Sequence, residues 1–132
     1  MSLTYLQARA EMFVLFKTAW DTTGYPAHYD DVRISRSPDD SPWAVISVQH
    51  ASGFQSAIGQ LFTRLGFLTV QIFTQSGKGL QEAYELCKIV SDAFEGTSTP
   101  GGVWFSNVRL NEIGRDGTFQ QMNVIIDFNY YA

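Results

Sequence analysis

Apolar and polar residues alternate most cleanly over residues 118–130. Met122, Val124, Ile126, Phe128 and Tyr130 face one way, and Gln121, Asn123, Asp127 and Asn129 face the other. That period of two predicts a strand with one buried face and one face in water or against a polar partner. Residues 65–74 repeat the pattern: Leu68, Val70 and Ile72 alternate with Phe67, Thr69, Gln71 and Phe73, with a high β-branched and aromatic content. Gly77 and Gly79 then bracket a turn. After it the period changes. Leu80, Ala83, Cys87, Val90 and Phe94 recur every three or four residues, which predicts a helix over 79–94 with one apolar stripe. A strand of about ten residues and a helix of about fifteen have comparable lengths, so this helix can fold back over the strand it follows.

Earlier in the chain, residues 4–20 predict a first helix, opened by Thr4 and Gln7 at capping-box spacing. Its stripe reads Leu6, Ala10, Phe13 and Trp20, with Phe16 alongside. Met12, Leu15 and Ala19 make a second apolar edge. A helix this apolar is covered on more than one side. Residues 21–31 read as a loop, and 32–35 as a short edge strand. The cluster 37–42 reads as a polar turn, and 43–49 as a strand. Residues 51–63 read as a loop carrying Phe54, Ile58, Leu61 and Phe62. Hairpin loops usually hold about two to five residues, so a longer apolar one is either functional or partner-bound, or folded onto its own core. Residues 103–113 predict a strand whose alternation slips near Ser106 and Asn107, as a one-residue bulge requires. Residues 114–117 contain the Asp-Gly pair of a hairpin turn.

The expected fold is therefore α+β, a single domain over residues 1–132. It is a two-layer sandwich with two main helices on one face of a four- to five-stranded antiparallel or mixed sheet. The expected order is α-β-β-α-β-β, with an extra edge strand where residues 32–35 pair. No internal repeat or low-complexity tract interrupts it.

Composition narrows the function. Charged residues make up 17% of the chain, below the roughly 25% usual in soluble domains, so part of the surface is expected to meet other protein. The net charge of −4 gives nucleic acid no basic face to grip, so no sequence-specific nucleic-acid binding is expected. One cysteine excludes an internal disulfide. No apolar run reaches the roughly 18 residues of a membrane span, and no signal peptide is expected at the N-terminus.

Candidate chemistry is sparse. Ser76-Gly77-Lys78-Gly79 sits where a phosphate loop would, but Gly follows the Lys and the upstream Gly is missing. His28 and His50 have no metal-ligand spacing. Cys87 lies on an apolar helix face with no adjacent base. We expect no catalytic residue, metal or cofactor. The candidate surfaces are instead Met12, Leu15, Ala19, Phe54, Ile58, Leu61 and Phe62 for oligomerisation or docking, and the polar strand face Gln121, Asn123, Asp127 and Asn129.

The spacing of several short elements carries a resemblance. Trp43-x-Val45 leads to the long loop around Gly59. Arg64-x-Gly66, Val70 to Phe73 and Gly77-x-Gly79 follow, and then Ala83, Leu86 and Ala93-Phe94 on the helix. Gly102-Val103-x-Phe105, Glu112-x-Gly114 and Phe128-x-Tyr130 complete the order. This resembles the tail-terminator, or tail-completion, proteins of long-tailed bacteriophages, over most of residues 1–132. The first 40 residues match least. The resemblance implies a non-enzymatic structural protein of a phage or prophage. Such a protein forms a homo-oligomeric, commonly hexameric, ring at the neck end of the virion tail, assembled in the host cytoplasm. Its partners are the tail-tube protein and the head–tail connector, and DNA passes through the ring. The polar strand face is then the lumen-facing candidate. The alternatives from the residues themselves are another connector or tube subunit, or a small ligand-binding α+β domain.

Overall fold

The computed structural model describes residues 3–29, 42–55, 62–75, 80–116 and 119–131. Helix α1 (Tyr5–Trp20) leads through a 3-10 turn (Asp21–Thr23) to strands β1 (Ala27–Tyr29), β2 (Trp43–Gln55) and β3 (Phe62–Gln75). Helix α2 (Gln81–Phe94) and strands β4 (Trp104–Asp116) and β5 (Phe119–Tyr131) complete the chain. The fold is α+β with one mixed five-stranded sheet in the order β1-β2-β3-β5-β4. β1 runs parallel to β2, and the other neighbours are antiparallel.

The capping box at the start of α1 forms. The Thr4 N–H donates to Gln7 Oε1 at 3.0 Å, and the Gln7 N–H donates to Thr4 Oγ1 at 3.1 Å. The buried stripe is not the expected one. Ala8, Met12, Phe16 and Trp20 are at most 1% exposed, whereas Leu6 is 70% exposed and Ala10 lies at the surface. A helix apolar on nearly every side does not specify which side it buries. The sheet beneath and Tyr29 beside it select the stripe, with Phe13 and Phe16 packing on that ring. In α2 the periodicity is unambiguous, and Ala83, Leu86, Cys87, Val90 and Phe94 are buried. Leu80 precedes the helix and is 43% exposed.

The element order departs from the expected one, because three strands precede α2. The additional strand, β1, lies inside the expected loop 21–31. The Ala44 N–H donates to the Pro26 carbonyl at its start. Three residues are too few to show a period. Residues 32–35 and 56–61 lie outside the described set. The described ends of the expected long loop, 51–55 and 62–63, are a continued ladder. β2 and β3 pair as far as Gln55 with Phe62, through a register shift between His50 and Ser52. Likewise the β4–β5 hairpin runs into its expected turn, to the pair Asp116–Phe119. Gly114 lies in the strand at a register shift, with φ +109°. The expected slip near Ser106 is present, between Phe105 and Asn107.

Register brings like faces together. Ile46, Val70, Val124 and Leu110 form one cross-strand row, and Val48, Leu68, Ile126 and Val108 form another. Most of these side chains join the stripes of both helices in one buried cluster. Leu110 stays 45% exposed. Gly66 allows the tightest approach in this face. A Cβ there would stand 2.3 Å from the Gln49 carbonyl oxygen and 2.7 Å from the Phe128 ring. The opposite face is not simply polar. Trp43, Val45 and Phe119 form a second buried cluster at one end, with Phe73 stacked on Trp43 at 4.7 Å.

Candidate functional surface

The face of the sheet away from the helices carries a stretch of polar side chains held on the strands. Gln121, Asn123, Asp127 and Asn129 all lie on it, and all are partly exposed. The Gln121 amide donates to Asn123 Oδ1 at 3.0 Å. The register adds residues that no single strand announces. Gln71 pairs with Asn123, which pairs with Asn111. Gln49 pairs with Phe67, which pairs with Asp127, which pairs with Asn107. Apolar members of this face include Ile125, Phe67, Val45, Leu65 and Trp104, the last 36% exposed. The charges on this stretch are paired: Arg109 donates to Asp127 Oδ1 at 3.0 Å. Such a surface offers many neutral donors and acceptors and almost no net field.

Among the described residues, the expected docking residues do not form one surface. Met12 is fully buried in the core. Leu15 is half-buried against the core, and Ala19 is also half-buried. Ile58, Leu61 and the Phe54 side chain lie outside the described set. Phe62 opens β3 and is 44% exposed. The apolar residues that α1 does present are Leu6, Ala10 and Val14, one per turn. A small apolar cavity of about 190 Å3 lies between Ala10, Glu11, Val14 and Pro100. The sequence does not single out this ridge, because it puts Leu6 and Ala10 on one apolar stripe with Phe13 and Trp20 without deciding which side is dry.

A polar cluster fastens α1 to the sheet. His50 Nε2 lies 2.7 Å from the Tyr130 hydroxyl, and Tyr5 packs edge-on to the imidazole at 4.7 Å. The Arg64 guanidinium donates to the Tyr5 hydroxyl and stacks over its ring at 4.4 Å. Burial and the nearby Arg64 charge hold the His50 pKa below its usual value. A cleft of about 230 Å3 opens beside this cluster.

Reactive groups are held in packing roles. Burial pushes the Cys87 thiol up to about 11, and its Sγ lies 3.9 Å from Met122 Sδ. It is therefore a protonated core residue at neutral pH. Among the described residues, no group of three or more His, Cys, Asp or Glu side chains converges as a metal site requires. Among them too, no helix is long and apolar enough to cross a membrane.

No family model matches the chain, and no curated protein matches it. Solved structures do. One, of a protein known only by a sequence label, aligns with a TM-score of 0.75 at 14% identity over 98% of this chain and 96% of its own. Another is a chain from the virion of a native gene transfer agent particle. It aligns with a TM-score of 0.68 at 15% identity over 98% of this chain and 100% of that one. At such identities the likeness is one of fold, and it runs end to end.

Proposed function

We propose that this chain is a structural protein of a phage or phage-derived particle, and that it forms a ring ending the tail tube. The carrying observation is the open, neutral, amide-rich sheet face, in a fold shared end to end with a chain of a virion. In this reading the face carrying Gln121, Asn123, Asp127 and Asn129 lines the central hole. DNA slides past it, because paired charges and amides give the phosphate backbone no cationic hold. The ridge Leu6, Ala10 and Val14 and the start of β3 at Phe62 meet neighbouring copies or the tube. Ring closure uses two different patches per subunit, a heterologous contact related by rotation. One rim fits the last ring of tail-tube protein. The other meets the head–tail connector and does not template another tube ring, so growth stops there. The protein belongs at the neck end of the tail and requires no cofactor.

Electron micrographs of particles made without this protein test the reading. Overlong or headless tails are expected. Complete absence of tails would make the chain a tube subunit instead, and normal joined tails would sink the proposal. Sedimentation of the chain mixed with purified tail tubes gives a second check, since a chain that stays monomeric there does not form the ring.

A further inference from the structure

β4 is the most exposed edge of the sheet. One side pairs with β5 along its whole length, and among the described residues the other carries a single bridge, from Ser98 to Trp104, at its start. Leu110 and Ile113 are 45% and 52% exposed on it. A long edge with apolar side chains is a template for another strand. Beside it, where β4 shifts register, a cleft of about 370 Å3 opens between Glu95, Gly96, Phe105, Ser106, Asn107 and Val108. Glu95 caps the C-terminal end of α2, whose last turn holds no basic residue. The negative end of the helix dipole and a carboxylate therefore coincide there, and the cation of α2 that feels Glu95, Lys88, lies two turns back and is already paired with Asp92. Arg115 lies near the far end of β4. It is exposed and pairs with Gln120, on the same side of the sheet as Phe105 opposite Phe128.

We propose that two free copies of this chain join β4 to β4, antiparallel, about a two-fold axis at Leu110, with Arg115 of each entering the cleft beside Glu95 of the other. Face and charge select the register. Directly opposed residues in a sheet share a face, so an axis through a residue keeps each face of β4 opposite the same face of its copy. Centring on Arg109 would oppose two arginines. Centring on Leu110 sets Leu110 against Leu110, Arg109 against Asn111 and Arg115 against Phe105 at the mouth of the acidic cleft. There is room for the helices. α2 touches β4 at Phe94–Phe105 and Tyr84–Glu112 but packs more on β3 and β5, so it is centred near β5, one strand in from the edge. With strands about 4.8 Å apart the two α2 helices stand roughly 14 Å apart, beyond the 8–10 Å of packed helices. A contact of this kind closes at two copies and cannot build a ring. It goes beyond the ring reading and covers the edge while the chain is free.

Light scattering on the purified full chain at about 100 μM should give twice the chain mass. Glu95→Arg and Arg115→Glu should each weaken association about tenfold or more, and the double variant should restore it to within about threefold. Mild oxidation of Leu110→Cys should link two chains, while Leu6→Cys on α1 should link them at least about tenfold more slowly. Glu95, Arg115 and Leu110 are exposed, so the variants keep their fold, which thermal melts verify. A monomer at that concentration, an unrestored double variant or equal linking at Leu6→Cys overturns the contact. A chain that caps tubes yet is monomeric when free overturns the contact and leaves the ring standing. A chain that dimerises this way but never caps tubes supports the contact and sinks only the ring.

Discussion

The two faces of one strand, β5, do opposite work. On the helix side Met122, Val124, Ile126, Phe128 and Tyr130 are at most 3% exposed and belong to one continuous core. On the other side Gln121, Asn123, Ile125, Asp127 and Asn129 are all half-exposed, with neutral amides in the majority. The same backbone ladder supports both, so stability is concentrated on one face and the other is free to vary with what it meets. Substitutions one residue apart should therefore differ sharply.

The largest effect should come from Phe94→Ala on the closed face. Phe94 is fully buried and meets Phe105 edge-on at 4.9 Å, so its loss should cost about 3–5 kcal/mol in urea unfolding. Gly66→Ala should follow at about 2–4 kcal/mol. Its added Cβ meets backbone of β2, which cannot rotate away. If Gly66→Ala proves neutral, β2 and β3 do not approach as described. The sharpest form of the comparison is Ile126→Ala against Ile125→Ala. The first should cost about 2–4 kcal/mol and the second under about 1 kcal/mol. Equal losses would mean that the open face is covered in the free chain.

His50 tests the closed face by pH. Its folded pKa lies below the 6.5 of the free side chain, because burial and Arg64 disfavour the charged form. Its contribution is thus complete above pH 6.5 and is lost as pH falls through the lower folded value. The urea midpoint should drop from pH 8 to pH 5, and His50→Gln should shrink that drop. An unchanged drop in His50→Gln would assign it to other groups. The smallest effect should be on the open face. Arg109 and Asp127 are 52% and 36% exposed, so Asp127→Asn should change stability by no more than about 0.5 kcal/mol.

Legibility followed the strength of the local period. β5 and α2 were readable because each has one apolar face and one polar face. α1 was readable as a helix but not in its orientation: Met12 was expected on a docking surface and is core, while Leu6, on the stripe shared with Phe13 and Trp20, is exposed. β1 carried no period at all in three residues. The ends of β2 and β3 resembled a loop because Gly53 and a register shift at Ala51 interrupt the alternation. Of the candidate surface, Gln121, Asn123, Asp127 and Asn129 could be named from β5 alone.

What the chain's own order of residues determined was the α+β class, the inner face of each regular strand and the buried side of α2. These depend on periods of two and 3.6 that solvent enforces locally. Tertiary structure alone decided the strand order, the pairing of Gln71 with Asn123 and of Arg109 with Ile125, and which stripe of α1 is dry. Those outcomes depend on which distant surfaces meet, and burial against a partner element is a property of the pair rather than of either segment.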